Sequence, residues 1–474
     1  MLASTAFASP LICTYTIGDD WNQYCIMMDE YGTLLTPRDT YGNIYCFTYE
    51  PDGDSPRLYS ASKAVADNIA KTSEYDYDDY SYGYNNPVAL MDEGGNLLTG
   101  FDYTGFTHHV DKNLVVYYGM TGLQGVMDES GKVLLPDRFI TICPNGKGGY
   151  LALVCPEGEM YNYDTYYPIV YIDERGRTFE TEYSCHPYGF TVFSEGFVAV
   201  TLNSGSDSSC VYLDHEGTNV FRQTYGWANS FYGNYASVTD SETGLVGLID
   251  KTGQWALPPE YRSIDQGEYH GAKVFLACKN SAATILDAGN LDFISAIDFT
   301  LSGCSYGWFA GKYFISAFGD NASGLYDLDG NLIYSGSNSA DYWYGHMNET
   351  PGRIIRTVGI WPEDCCYLSD LSGNVYGPLF QALTTASWID GQGRYVFATY
   401  DMAPDEDGQI YPDWDSYRYG LCDQNGNILL DARYTSIDPI SPSRYWVRLG
   451  SRFGLIDETG KWYYTIDDYE YLMD

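Results

Sequence analysis

The sequence predicts an all-β protein built from tandem antiparallel β-meander repeats of about 40 residues, stacked in a propeller-like array. Three observations predict it. The motif Asp-x-x-Gly, flanked by short apolar segments, recurs from near the N-terminus to the C-terminal end. The chain holds 48 Tyr and 50 Gly, residue types that suit pleated, half-buried strands and frequent turns. Hydrophobic residues make up 45% and charged residues only 19%, a globular balance.

The unit is clearest in Gly454-Leu455-Ile456-Asp457-Glu458-Thr459-Gly460-Lys461-Trp462 and in Gly247-Leu248-Ile249-Asp250-Lys251-Thr252-Gly253-Gln254-Trp255. An apolar strand enters a turn whose Asp carboxylate accepts bonds from the backbone ahead, and Gly supplies the left-handed conformation that returns the chain as a hairpin. The structural turn residues are Asp29, Asp92, Asp128, Asp173, Asp214, Asp250, Asp327, Asp370, Asp423 and Asp457; an eleventh, Asp287-Ala288-Gly289, is one residue short. Most intervals fall near 40 residues, enough for three or four short strands with their turns.

A further strand precedes each hairpin, as in Leu114-Val115-Val116-Tyr117-Tyr118, Phe197-Val198-Ala199-Val200, Tyr395-Val396-Phe397-Ala398-Thr399 and Tyr445-Trp446-Val447-Arg448-Leu449. After the hairpin an aromatic recurs, at Phe139, Tyr261 and Tyr434, and is expected to pack between neighbouring units. A meander alone would expose one apolar face, and stacking on the next unit covers it. A closed ring, two smaller rings and an open superhelix all satisfy this periodicity; propeller-like packing is the preferred expectation.

Residues 1–13 are read as a truncated leader or a flexible N-terminus, with Ala6-Phe7-Ala8 at the small-x-small position of a cleavage site. Residues 14–474 form the repeat array, with insertions near 50–85 and 400–416. The first insertion contains the one segment with helical character, Ser60 to Lys71, with Ser60 as N-cap and apolar residues at 61, 65, 66 and 69. No apolar run is long enough to span a membrane.

These units resemble the bacterial WG (KWG-type) repeat. Ser194-Glu195-Gly196 with Ala199-Val200 matches the first half of its pattern, and Gly247 through Tyr261 matches the second. The likeness extends over about residues 20 to 474, but the residue before the Gly is Phe453, Tyr419, Val246, Gln124 or Ser323, never the naming Trp. The resemblance implies a bacterial protein, exported or on the cell surface, acting in binding, with no shared catalytic residues.

Lys and Arg number 25 against 64 Asp and Glu, a formal net charge of −39. Such a chain repels nucleic-acid phosphates and anionic membranes, which leaves a basic protein, a divalent cation or a neutral glycan as partners compatible with its charge. None of the twelve Cys forms a Cys-x-x-Cys pair, so no structural zinc is expected. Cys422 takes the strand slot that Ile fills in Gly-Leu-Ile-Asp, and most cysteines are read as small buried hydrophobes, although an even count leaves disulfides open.

No catalytic residue, metal or cofactor is assigned. Gly303-Cys304-Ser305-Tyr306-Gly307 matches the nucleophile elbow Gly-x-Ser-x-Gly, but that elbow needs a helix after the Ser, and Trp308 to Ile315 read as strand and turn. Asp405-Glu406-Asp407-Gly408 resembles half of a calcium loop, yet Ala403 and Trp414 occupy its first and last ligand positions. The six His lack metal-ligand spacing and are expected on the surface or in turns. The best lead is aromatic: Trp227, Trp308, Trp343, Trp361, Trp388 and Trp414 fall outside the main strand slots and are candidate binding residues on loops. Flat rings offer platforms to sugar faces or partner side chains, and the competing reading is that they plug gaps between units. The expected function is a non-enzymatic binding module; the alternative is a glycan-active hydrolase with paired carboxylates in an aromatic cleft.

Overall fold

The computed structural model describes residues 9–16, 23–48, 56–64, 87–155, 162, 164–190, 192–203, 209–310, 314–319, 322–336, 354–358, 365–370, 374–385, 393–404, 408–441 and 443–467. Among them the regular structure is antiparallel strand, with short 3-10 turns. The eleven turn aspartates number the units from one to eleven. Unit 7 shows the full pattern: Ser263–Tyr269, Ala272–Lys279, Ala282–Asp287 and Phe293–Asp298 pair in sequence order as a four-stranded meander. The fourth strand of one unit runs almost directly into the first strand of the next. In Val133–Pro144 the two are one continuous strand joining units 3 and 4, and the single pairs Cys25–Tyr41 and Val88–Tyr103 join units 1 to 2 and 2 to 3, so that units 1 to 4 share a ladder of twelve strands.

Side-chain alternation along a strand explains the stacking. In Ala272–Lys279, Val274, Leu276 and Cys278 enter a core shared with unit 8, whereas Phe275 and Ala277 enter one shared with unit 6. Both faces of the sheet are therefore buried, which is why the second and third strands read as unbroken apolar runs and not as an alternation. Such shared cores join units 1 to 8 consecutively and units 9 to 11 consecutively. The fourth strands are the outermost and carry most of the exposed positions. They accommodate Pro136, Pro258, Pro259 and Pro378, which an edge tolerates because no partner needs the missing N–H.

The first and last units meet. Leu11, Cys13, Tyr15, Ile26 and Met28 share a core with Trp446, Phe453, Leu455 and Ile466. The Trp446 indole N–H donates to the Thr14 carbonyl at 2.6 Å, and Arg444 Nε donates to the Glu30 carbonyl at 2.8 Å. Leu11, Ile12 and Cys13, placed with the N-terminal segment on sequence grounds, thus open the strand Leu11–Thr16.

The turns have the expected local chemistry. Asp250 Oδ1 accepts from Thr252 N at 2.8 Å and from Gln254 N at 3.2 Å, Gly253 N donates to the Asp250 carbonyl at 2.9 Å, and Gly253 stands at φ +79°. The seventh turn is one residue longer than the others and not one shorter: Leu291 N donates to the Asp287 carbonyl at 2.9 Å, and the left-handed residue is Leu291, φ +62°, in place of a Gly. The turns also have a tertiary role. A Cβ on Gly95 would stand 2.6 Å from the Leu35 carbonyl oxygen of the preceding unit, and one on Gly253 would meet the Phe221 ring. Gly32 of unit 1 abuts Tyr463 of unit 11 in the same way.

One expectation is corrected. The segment beginning at Ser60 does not start a helix: Tyr59–Lys63 is a strand paired on both sides, with Tyr41–Cys46 and Val88–Met91, and residues 65–71 lie outside the described part. Its small residues carry no strong preference, and burial of Tyr59 and Ala61 between units 1 and 2 decides the conformation. The recurrent aromatic packs between units as expected: Phe139 and Tyr434 are fully buried, and the half-buried Tyr261 packs against the core shared by units 6 and 7.

Two stability predictions follow from this packing. Gly95→Ala and Gly176→Ala both force a left-handed residue, costing about 1–2 kcal/mol. Nothing lies within 4 Å of a Cβ on Gly176, so Gly95→Ala is expected to lose roughly 1–3 kcal/mol more in urea denaturation, from overpacking. Trp446→Phe, which strands the Thr14 carbonyl, is expected to cost about 1 kcal/mol, and Trp446→Ala about 3–5 kcal/mol; an unchanged thermal midpoint in both would disprove the junction of first and last units.

Candidate functional site

Of the six candidate tryptophans, Trp227, Trp308 and Trp414 are described and all three are exposed, by 54%, 44% and 74%; Trp343, Trp361 and Trp388 lie outside the described residues. The loop assignment is corrected for two of them. Trp227 sits on the short strand Trp227–Ala228 and Trp308 on Tyr306–Ala310, each the first strand of its unit.

The three surroundings differ. The Trp227 indole N–H donates to Asn229 Oδ1 at 3.3 Å. Trp308 stacks on Phe318 with centroids 4.2 Å apart, beside Tyr306, over which lies the Arg262 guanidinium at 4.3 Å. Trp414 ends a longer row. Its ring is nearly parallel to Tyr417, at 5.2 Å and 9°, and Tyr417 in turn stacks on Tyr400 at 4.6 Å and 23°.

That row belongs to the insertion of unit 10. Between the second and third strands of the unit, Met402–Pro404 and Ile410–Pro412 pair as a small hairpin, followed by the 3-10 turn Trp414–Ser416. Local bonds hold the turn: Asp413 Oδ1 accepts from Asp415 N at 3.1 Å, Asp413 N donates to the Asp401 carbonyl at 2.8 Å, and Ser416 Oγ accepts from Asp401 N at 2.8 Å. Tyr400 and Tyr417 flank the insertion and back the Trp. Sequence reading missed both, although a tyrosine at each base of an insertion is a legible sign of a braced loop.

Two clefts accompany the rows. One of about 620 Å³ lies between the fourth strand of unit 4 and the turn of unit 5, lined by Glu180, Glu182, Glu216 and Arg222 among others. A smaller one of about 260 Å³ is lined by Tyr24, Asp39, Tyr41, Lys63 and Phe101 among others. Paired carboxylates with raised pKa values would mark a hydrolase. Burial raises Asp265 and Asp438, but they stand in units 7 and 11, and Asp265 Oδ2 already accepts from Phe309 N at 2.9 Å.

The remaining motifs resolve as packing. Gly303-Cys304-Ser305-Tyr306-Gly307 follows the 3-10 turn Phe299–Ser302 and leads into a strand, the reverse of the elbow order; Ser305 Oγ accepts from Arg262 Nη1 at 2.8 Å. The acidic triplet 405–407 lies outside the described residues, and among the described residues no group of His, Cys, Asp and Glu could hold a metal ion. Cys422 is fully buried, as its Ile slot implies, and burial pushes its thiol up to about 12. Against expectation His108 is buried: Nδ1 lies 2.9 Å from Thr48 Oγ1 and Nε2 2.8 Å from Glu129 Oε1. Thr48 Oγ1 also accepts from Leu58 N at 2.8 Å, so this hydroxyl–imidazole–carboxylate row braces units 2 and 3 and offers no open nucleophile. Burial holds the neighbouring His109 near a pKa of about 4, hence neutral at pH 7.

A family model described as WG containing repeat matches residues 247–266 and 419–452, parts of units 6 and 7 and of units 10 and 11. No curated protein matches the sequence. Among solved structures, the fold is similar to BamB from Moraxella catarrhalis, at 13% identity and TM-score 0.26, covering 56% of this chain and 78% of that one. Apo AztD from Citrobacter koseri gives 12%, 0.27, 72% and 92%, and the dihydro-heme d1 dehydrogenase NirN gives 13%, 0.29, 62% and 70%. Likenesses this distant assign no ligand or activity to the chain.

The turn carboxylates make stability pH-dependent. The Ser130 hydroxyl bonded to Asp128 and the Thr252 hydroxyl bonded to Asp250 hold both carboxyls below the ordinary value of 3.8. A carboxyl with a depressed folded-state pKa stabilises the fold above its unfolded value, and that contribution disappears as pH falls through the folded value. The stability gap between the natural chain and Asp128→Asn, measured by urea denaturation, is expected to be full at pH 7 and to shrink as pH drops below 3.8.

Proposed function

We propose that this chain is a non-enzymatic binding module that presents braced, exposed aromatic rings to a protein or glycan partner. The observation that supports the reading best is the row Trp414–Tyr417–Tyr400, which ends in a ring 74% exposed. An unsupported surface Trp would lose freedom on binding. One already stacked from behind loses little and keeps its outer face for a ligand. Trp and Tyr are also the side chains that most often dominate binding energies.

The rigid array serves as the support. Loops on a rigid scaffold carry binding groups because the scaffold fixes their position while the loop sets their chemistry. The resemblance to WG repeats, supported over two segments, agrees with this reading and supplies no catalytic residue.

A glycan array and a pull-down from bacterial and host lysates, run in parallel with the natural chain and with Trp414→Ala, test the proposal. Ligands captured by the natural chain are expected to be lost or weakened about tenfold or more in Trp414→Ala, the scale of a binding hot spot. Trp227→Ala and Trp308→Ala serve as comparisons. Equal capture by all four proteins would refute the role of the exposed rings.

A further inference from the structure

We propose that the outer face of Trp414 receives a cationic side chain, Arg or Lys, of a basic protein segment. This rests on the binding reading above and chooses between its two partner classes. Trp414 is covered on one side by Tyr417 and is 74% exposed. Three acidic residues share its turn: Asp413 and Asp415 adjoin it in sequence, and the Asp401 backbone is tied to the turn through the Asp413 N–H and the Ser416 hydroxyl. Asp401 and Asp415 are exposed, and among the described residues no Lys or Arg forms an ion pair with Asp401, Asp413 or Asp415.

Arg418, the next cation along the chain, is already engaged. Arg418 Nη1 donates to the carbonyls of Asp415 at 3.0 Å and Tyr417 at 2.7 Å. An electron-rich indole face beside unneutralised carboxylates attracts a cation and is poorly matched to an anion. Guanidinium fits best, because it stacks flat on the ring while its N–H groups reach carboxylates. The net charge of −39 draws a basic partner toward the whole surface, and Trp414 gives that attraction a defined point of contact. By contrast, the exposed ring of Phe179 has the Arg177 guanidinium over it at 5.7 Å.

The experiment measures fluorescence anisotropy of labelled octa-arginine, octa-lysine and octa-glutamate peptides, and competition by cellohexaose, on the full chain at about 0.15 M salt. Four proteins are compared: the natural chain, Trp414→Ala, Phe293→Ala and Asp413→Asn/Asp415→Asn, with circular dichroism confirming the fold. Trp414→Ala leaves the charge unchanged and is expected to weaken octa-arginine about threefold to tenfold, octa-lysine less, while Phe293→Ala, which removes an exposed ring in unit 7, leaves both peptides unaffected. The double Asn variant is expected to weaken both peptides and to flatten their salt dependence. If Trp414→Ala binds octa-arginine like the natural chain, the cation assignment is wrong. Should Trp414 instead govern cellohexaose, the binding reading stands with a neutral glycan and the cation assignment falls. Loss of no ligand in any Trp414→Ala assay overturns both.

Discussion

Each sheet in this protein has two apolar faces, and a four-stranded meander by itself covers neither. Val274, Leu276 and Cys278 depend on unit 8, while Phe275 and Ala277 depend on unit 6, although all five lie on one strand. The array is therefore cooperative by construction: among the described residues, units 1 to 7, 10 and 11 each share a core with both neighbours. The same constraint applies at the ends, where a first and a last unit would each expose a face. Here they cover each other, through Trp446 against the strand Leu11–Thr16 and Gly32 against Tyr463. Capping by a polar outer face, the usual remedy in open arrays, is replaced by mutual burial.

The glycine of Asp-x-x-Gly shows how a local and a tertiary requirement coincide. Its positive φ is needed to close the hairpin, and its missing side chain is needed to let the turn approach the preceding unit. Where that neighbour is distant, as at Gly176, only the first requirement remains. Two histidines add polar ties of the same kind: His108 to Thr48 between units 2 and 3, and His215, whose Nδ1 lies 2.9 Å from the Asn145 carbonyl, between units 4 and 5. Buried polar groups must find partners, and here they find them across unit boundaries.

With the faces used for stacking, the apolar surface left exposed lies on first and fourth strands, as at Trp308 and Phe293, and where the pattern is interrupted. The insertion of unit 10 is such an interruption. It lies between two strands that still pair with each other, Tyr395–Thr399 and Arg418–Cys422, so that the scaffold is undisturbed while Trp414 projects. The backing rings Tyr417 and Tyr400 sit at the base of the insertion, one at each end, and transmit the rigidity of the sheet to the exposed Trp.

The hairpin turns, the meander order and the repeat number were determined by sequence alone, because each depends on contacts a few residues apart: Asp accepting from the two amides ahead, Gly at positive φ, apolar strands on either side. Of the exposed tryptophans only Trp414 stands on an insertion, while Trp227 and Trp308 lie on first strands of their units, and whether any of them faced solvent could not be read, since a Trp fits a gap between units as well as a surface. Ser60 to Lys63 misled for a related reason, its small residues taking whatever conformation the neighbouring strands imposed. The meeting of units 1 and 11, the burial of His108 and the stacking of Trp414 on Tyr417 and Tyr400 were decided only by tertiary structure. Each joins residues through the packing of whole sheets or the bases of a loop, and local pattern carries no record of such distances.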